Sequence, residues 1–151
     1  MPKGSSRLIS YRTTLEGVTP AMLTGFFVGW PDPPSPETHL RVLAGSFAVV
    51  LAVDEDAGAV VGFANAISDG ALMAFIPLLE VLPEHQGQGI GSELVRRMLG
   101  HLNGLYAIDL VCDDVVLPFY ERLGFTPGRA MIHRNYGNQS GASHLRREST
   151  A

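Results

Sequence analysis

Val81-Leu82-Pro83-Glu84-His85-Gln86-Gly87-Gln88-Gly89-Ile90-Gly91-Ser92-Glu93-Leu94-Val95-Arg96-Arg97-Met98-Leu99 carries an apolar stretch through a glycine turn into an amphipathic helix. With glycine at 87, 89 and 91 the backbone can bend tightly and approach a ligand closely, because no Cβ stands in the way. Ile90, Leu94, Val95, Met98, Leu99 and Leu102 then recur on one face of a 3.6-residue period. The first N–H groups of such a helix have no partner in the preceding turn. Together with the positive end of the helix dipole, those donors suit a pyrophosphate.

The residues around the glycines disfavour two nucleotide-binding frames. A Rossmann fingerprint needs glycine where Ser92 stands, and a P-loop needs Gly-Lys-Ser/Thr, whereas the only lysine in the chain is Lys3.

Upstream of the turn, residues 72–82 form a long apolar strand interrupted by Pro77, which predicts a bulge or a splay. Residues 47–53 and 60–67 read as a hairpin around the turn at 54–58, and Asp69-Gly70 marks the next turn. Residues 8–12 alternate as a first strand. Thr19-Pro20 opens a short helix over residues 21–28, with Met22, Leu23, Phe26 and Phe27 inward. Trp30-Pro31-Asp32-Pro33-Pro34-Ser35-Pro36 is a stiff loop, and Ser35 caps a second helix that runs to about residue 44. Downstream, Asn103-Gly104 ends the glycine-turn helix. A strand over 105–112 follows, then a helix over 115–123 capped by Asp113 or Asp114, and a last strand over 129–136. Residues 1–136 thus read as one domain, and residues 137–151, polar and without periodicity, as a mobile tail. The element order is that of an α/β (α+β) chain with a mixed, mostly antiparallel sheet flanked by helices.

Two motifs in order then point to one family. Gln86-x-x-Gly89-x-Gly91, preceded by Val-x-Pro, resembles the acetyl-CoA signature of the GNAT superfamily of N-acetyltransferases. Phe119-Tyr120-Glu121-Arg122-Leu123-Gly124-Phe125, about 30 residues on, resembles a second signature of that family. The resemblance is strongest over residues 62–124. It implies the GNAT fold, splayed near the coenzyme. It also implies that the backbone from Gln86 through Gly87, Gln88, Gly89, Ile90 and Gly91 to Ser92 holds the pyrophosphate of acetyl-CoA. Val81 and Leu82 would give backbone hydrogen bonds to the pantetheine arm. Tyr120 would sit beside the sulfur and protonate the departing thiolate; a phenol with an ordinary pKa of about 10 keeps its proton at neutral pH. Where the family often carries Asn seven residues before that tyrosine, this chain has Asp113, which reads as a helix cap.

Acetylating an amine also requires a base, because an alkylammonium with a pKa of about 10.4 cannot attack at pH 7. Glu80, within the apolar run before the turn, is the candidate; desolvation there would raise its pKa toward the working range. An ion pair with an arginine, or a position at the sheet's splay, would also account for it. Trp30, Asn65 and Asp69 are candidates for an amine pocket, whereas Glu84 and His85 read as solvated and Cys112 as core. The expected chemistry is direct attack by a primary amine on acetyl-CoA in a ternary complex, the amine belonging to a small molecule. A protein lysine or N-terminus as acceptor, and a non-catalytic acyl-CoA-binding regulatory domain, are the alternatives.

Composition narrows the partners. A net charge of −4 disfavours nucleic acid. With no apolar run of about 18 residues, no membrane span is expected. One cysteine and five scattered histidines, without ligand spacing, predict no metal. A cytoplasmic location is expected, and the resemblance suggests a homodimer.

Overall fold

The computed structural model describes residues 8–142. A five-stranded sheet runs in the order β1-β2-β3-β4-β5: β1 (Ile9–Arg12), β2 (Ala48–Asp54), β3 (Ala59–Ser68), β4 (Met73–Val81) and β5 (Ala107–Asp109). Neighbours are antiparallel except β4 and β5, which are parallel. Helix α1 (Pro36–Ala44) and α2 (Ile90–His101) cover the two faces, and a short α3 (Leu117–Glu121) follows β5. The mixed, mostly antiparallel sheet with flanking helices is the architecture expected from the element order.

Alternation along β2 divides the core. Val49, Leu51 and Val53 face α1 with Leu23, Phe26, Phe27, Leu43 and Phe63, while Val50 and Ala52 face α2 with Ile90, Leu94, Met98 and Leu102. Gly62 sets the closeness of α2: a Cβ there would stand 3.1 Å from Leu94 Cδ1 and 3.3 Å from Ile90 Cγ2. At the start of α1, Ser35 accepts the Thr38 N–H at 3.1 Å, as a capping serine should.

The splay has a register cause. β5 meets β4 only at Met73–Ala107, Ala74–Ile108 and Phe75–Asp109, so the remainder of β4 has no strand on that side. Against β3, the pairing shifts between Asn65–Leu78 and Ile67–Phe75, leaving one extra residue on β4 around Pro77. That bulge inverts the side-chain parity. Ala74 and Ile76 face α2, and beyond the bulge so do Leu79 and Val81, which turns Glu80 toward the α1 face. Without the extra residue, Glu80 would point into the apolar packing under α2.

Four expectations are corrected. The helix expected over residues 21–28 is a single 3-10 turn, Pro20–Leu23, because Gly25, Phe27 and Gly29 all take positive φ. The strand expected over 105–112 shortens to β5, since residues beyond Asp109 lie along the splay. The helix over 115–123 divides into a 3-10 turn, Asp114–Val116, and α3. Residues 129–136 form no strand: Met131 and Ile132 are adjacent and would point to opposite faces of a strand, giving no single apolar side to bury, and both are exposed. Of the expected tail, residues 143–151 lie outside the described part. Its beginning is tied down by a 3-10 turn, Tyr136–Asn138, and by Gln139 Oε1, which accepts the Asp32 N–H at 2.8 Å.

Candidate active site

The unpaired length of β4 opens a cavity of about 460 Å³ between the strand and the chain after β5. Its lining includes Glu80, Gln86 and Tyr120, the aromatic residues Phe27, Trp30 and Phe63, of which Trp30 alone is exposed, and residues 76–79 and 110–111. Glu80 and Tyr120, separated by 40 positions in sequence, are thereby brought to one space.

On the glycine-turn side, Gly87 and Gly89 have φ of +80° and +85°, and Gly89 caps α2. Side chains rarely adopt these angles, so the turn depends on glycine there. The amides of Gly87, Gln88 and Gly89 donate to no group among the described residues, and those of Ile90, Gly91 and Ser92 belong to the unpaired first turn of a 12-residue helix. A run of free amides on a Cβ-poor turn fits the pyrophosphate of a coenzyme. Gln86 is used differently: its Nε2 donates to Val81 O at 2.9 Å, stapling the turn to the end of β4.

The two backbone positions named for the pantetheine contact differ. Leu82 N–H donates to Val61 O at 2.9 Å and is already used within the sheet. Antiparallel alternation then turns the N–H groups of Val81 and Leu79 away from β3, toward the open edge. Leu79 was not singled out from sequence, because its availability follows from register.

Glu80 forms no ion pair among the described residues. Its Oε1 accepts the Phe27 N–H at 2.8 Å and its Oε2 the Val28 N–H at 3.2 Å. Tyr120 is half-buried, its ring edge-on to Phe119 and Phe125 at centroid distances of 4.9 and 5.6 Å. Burial, with Cys112 adding to it, pushes its phenol up to about 12. The proton therefore stays on Tyr120 throughout the neutral range. Burial and the carboxylates of Asp113 and Asp114 also push the Cys112 thiol up, away from a thiolate nucleophile.

Trp30 lines the cavity and packs on Phe27 at 4.9 Å. Asn65 and Asp69 do not line it. Asn65 is buried on the α1 side, its Nδ2 donating to Ser46 Oγ at 3.0 Å. Asp69 Oδ1 accepts the N–H groups of Ala71, Leu72 and Met73, which hold its pKa down and close the turn before β4. His85 is buried rather than solvated. Sequence reasoning missed Phe27, Val28 and Phe63 as lining residues; the aromatic density of Phe26, Phe27 and Trp30 was the available signal. Behind that wall, His39 is 1% exposed with neither ring nitrogen bonded, among Phe26, Phe27 and Phe63, and burial lowers its pKa to about 4. Among the described residues there is no cluster of three or more metal-ligating side chains and no helix long and apolar enough to cross a membrane.

The profile of the acetyltransferase (GNAT) family matches residues 15–125. An uncharacterized N-acetyltransferase, ycf52, of Pyropia yezoensis is 31% identical over 101 residues, 65% of this chain and 58% of that protein. The mycothiol acetyltransferase of Propionibacterium freudenreichii is 31% identical over 62% of this chain and 35% of its own length. The chain thus spans little more than half the length, or less, of these curated relatives. Among solved structures, a candidate acetyltransferase of Deinococcus radiodurans R1 superposes with a TM-score of 0.89 at 54% identity, covering 95% of this chain and all of the other. A GNAT-family acetyltransferase of Streptococcus pneumoniae reaches a TM-score of 0.64 at 30% identity over 85% of this chain and all of its own.

Proposed function

The chain belongs to the GNAT acetyltransferase family, and from that membership we propose that it transfers an acetyl group from acetyl-CoA to the primary amine of a small molecule. The observation that carries this reading is the joining of Glu80, Tyr120 and the open edge of β4 in one cavity, beside the free amides of the glycine turn. The small-molecule acceptor is supported by the aromatic enclosure formed by Phe27, Trp30 and Phe63.

When bound, acetyl-CoA supplies the acetyl group as a thioester. The amides from Gly87 to Ser92 hold its pyrophosphate, and Val81 N–H polarises the carbonyl of the reacting group. Glu80, directly or through a water, takes a proton from the incoming ammonium, so that the nitrogen lone pair can form the C–N bond as the C–S bond breaks. A carboxylate offers about four acceptor positions, so the two amides already bound leave room for that proton. Tyr120 donates a hydrogen bond to the departing sulfur; with its pKa raised to about 12 it keeps its own proton, and the thiolate is neutralised by the second proton that the nitrogen sheds as the amide forms. Holding amine and thioester together supplies the remainder through proximity.

A homodimer belongs to the same proposal, supported by Met131 and Ile132, which lie exposed on the extended segment after α3. Light scattering on the purified protein tests it. The activity is tested by thiol release from acetyl-CoA with polyamines, arylalkylamines, aminoglycosides, amino acids and short peptides. Release with one class of small amine is the expected result. Release with peptides alone would move the acceptor to protein, and tight acetyl-CoA binding without release to any acceptor would favour a regulatory domain.

A further inference from the structure

Phe27 is the only non-glycine residue with positive φ among the described residues, at +64°. Its neighbours Gly25 and Gly29 are at +94° and +84°, so the segment descends onto the cavity through alternating left-handed positions. Glycine adopts them freely, but a phenylalanine must be held there. Two things hold it. Its ring packs against Trp30 and His39, both at 4.9 Å, and against Phe63 at 6.3 Å. Its amide and that of Val28 both donate to the Glu80 carboxylate, at 2.8 and 3.2 Å. Phe27 is 4% exposed, and without Glu80 its N–H would have no acceptor.

We infer that Glu80 is a positioning residue for the acceptor wall: its carboxylate clamps the Phe27–Val28 peptide in the left-handed turn, so that the ring of Trp30, backed by the buried ring of Phe27, stands where the body of the amine packs. The inference rests on the acetyltransferase reading and assigns the site an amine carried on an apolar, ring-sized body. It also ties selectivity to a β4 residue, since the bulge at Pro77 that turns Glu80 toward α1 is what allows the clamp to form. A proton-accepting role for Glu80 predicts loss of turnover alone. The clamp predicts, in addition, a loosened wall and weaker binding of a bulky acceptor.

Glu80→Gln and Glu80→Ala, assayed with 2-phenylethylamine and with propylamine, separate these. Gln keeps one accepting oxygen and Ala keeps none. In Glu80→Ala the KM for 2-phenylethylamine, or its Kd with coenzyme A present, rises about tenfold, equivalent to about 1.4 kcal/mol. Glu80→Gln falls between that variant and the wild type, propylamine binding weakens by a clearly smaller factor because only the contact with its ammonium is lost, and acetyl-CoA affinity is retained. Amide hydrogen exchange at Phe27 and Val28 accelerates at least tenfold in Glu80→Ala. Trp30→Ala, which leaves the Glu80–Phe27 hydrogen bond in place, retains slow exchange but loses the preference for 2-phenylethylamine. Equal acceptor binding in all variants, with turnover lost equally in Gln and Ala, overturns the proposal, as does unchanged exchange. The exchange measurement needs no substrate, so it decides the clamp even if no amine is acetylated, an outcome that would count against the transferase reading instead.

Discussion

Residues 81–92 and residues 24–30 border the same cavity but are built differently. The first segment is a local device: two left-handed glycines, a helix start and a glutamine that reaches back five residues to Val81 O. The second is held from a distance. Its left-handed turn contains a phenylalanine and is stabilised by a carboxylate 53 positions away in sequence. A ligand wall made of backbone amides can be specified by a short string of residue types, whereas a wall made of rings depends on what the tertiary fold places behind them.

Gly89→Val should break the local device most severely. No protein atom lies within 4 Å of a Cβ at that position, so the fold survives, but the +85° turn and the ligand approach do not. Acetyl-CoA binding should weaken about a thousandfold, roughly 4 kcal/mol, of which about 1–3 kcal/mol is backbone strain. Calorimetric titration measures it.

Tyr120→Phe comes next. Turnover should fall about a hundredfold while acetyl-CoA affinity stays within about twofold, as steady-state kinetics and titration would read. With the wild-type phenol held at about 12, its protonated form persists up to that pH, so Tyr120 contributes no alkaline fall in rate between pH 7 and 10. A Tyr120-dependent fall in that range would assign the proton to another environment.

His39 offers a way to loosen the distant device without touching the cavity. Its folded pKa, about 4, lies below the unfolded value of about 6.5, so between these the unfolded chain binds more protons and stability rises with pH. The stabilisation is complete above about pH 6.5 and is lost as pH falls toward 4; between pH 7.5 and 5 the loss is about 2 kcal/mol. Urea unfolding at the two pH values measures it, and His39→Phe should flatten the dependence.

The smallest effect sharpens the boundary of the acceptor side. Trp30→Ala should raise the KM of a bulky amine about five- to tenfold. Asp69→Ala, which removes only a turn-closing acceptor, should leave that KM unchanged and lower the unfolding midpoint slightly. An equal shift in both would extend the pocket to the turn before β4.

The glycine turn, the helix stripe from Ile90, the hairpin and the bulge at Pro77 were legible because each is specified by neighbouring residues: positive φ by glycine, a buried face by its period, and a break in the ladder by proline. The order of elements on that basis gave β1 to β4 and the start of β5, but not the absence of a strand over residues 129–136. Residues 21–28 misled for the opposite reason. Their apolar spacing suits a helix, but the carboxylate of Glu80 and the packing of Phe27 on His39 and Phe63 favour a left-handed turn instead. Asn65 and Asp69 looked available because their types are polar and their strand ends nearby, yet one hydrogen-bonds within the core and the other closes a turn. The sequence by itself determined the coenzyme-side turn, its helix and the tyrosine signature, since these need only local geometry and residue type. Only the tertiary structure decided that Glu80 faces α1, that Leu79 and Val81 have free edges, and that Phe27 forms a wall, because each depends on strand register and on groups distant in the chain.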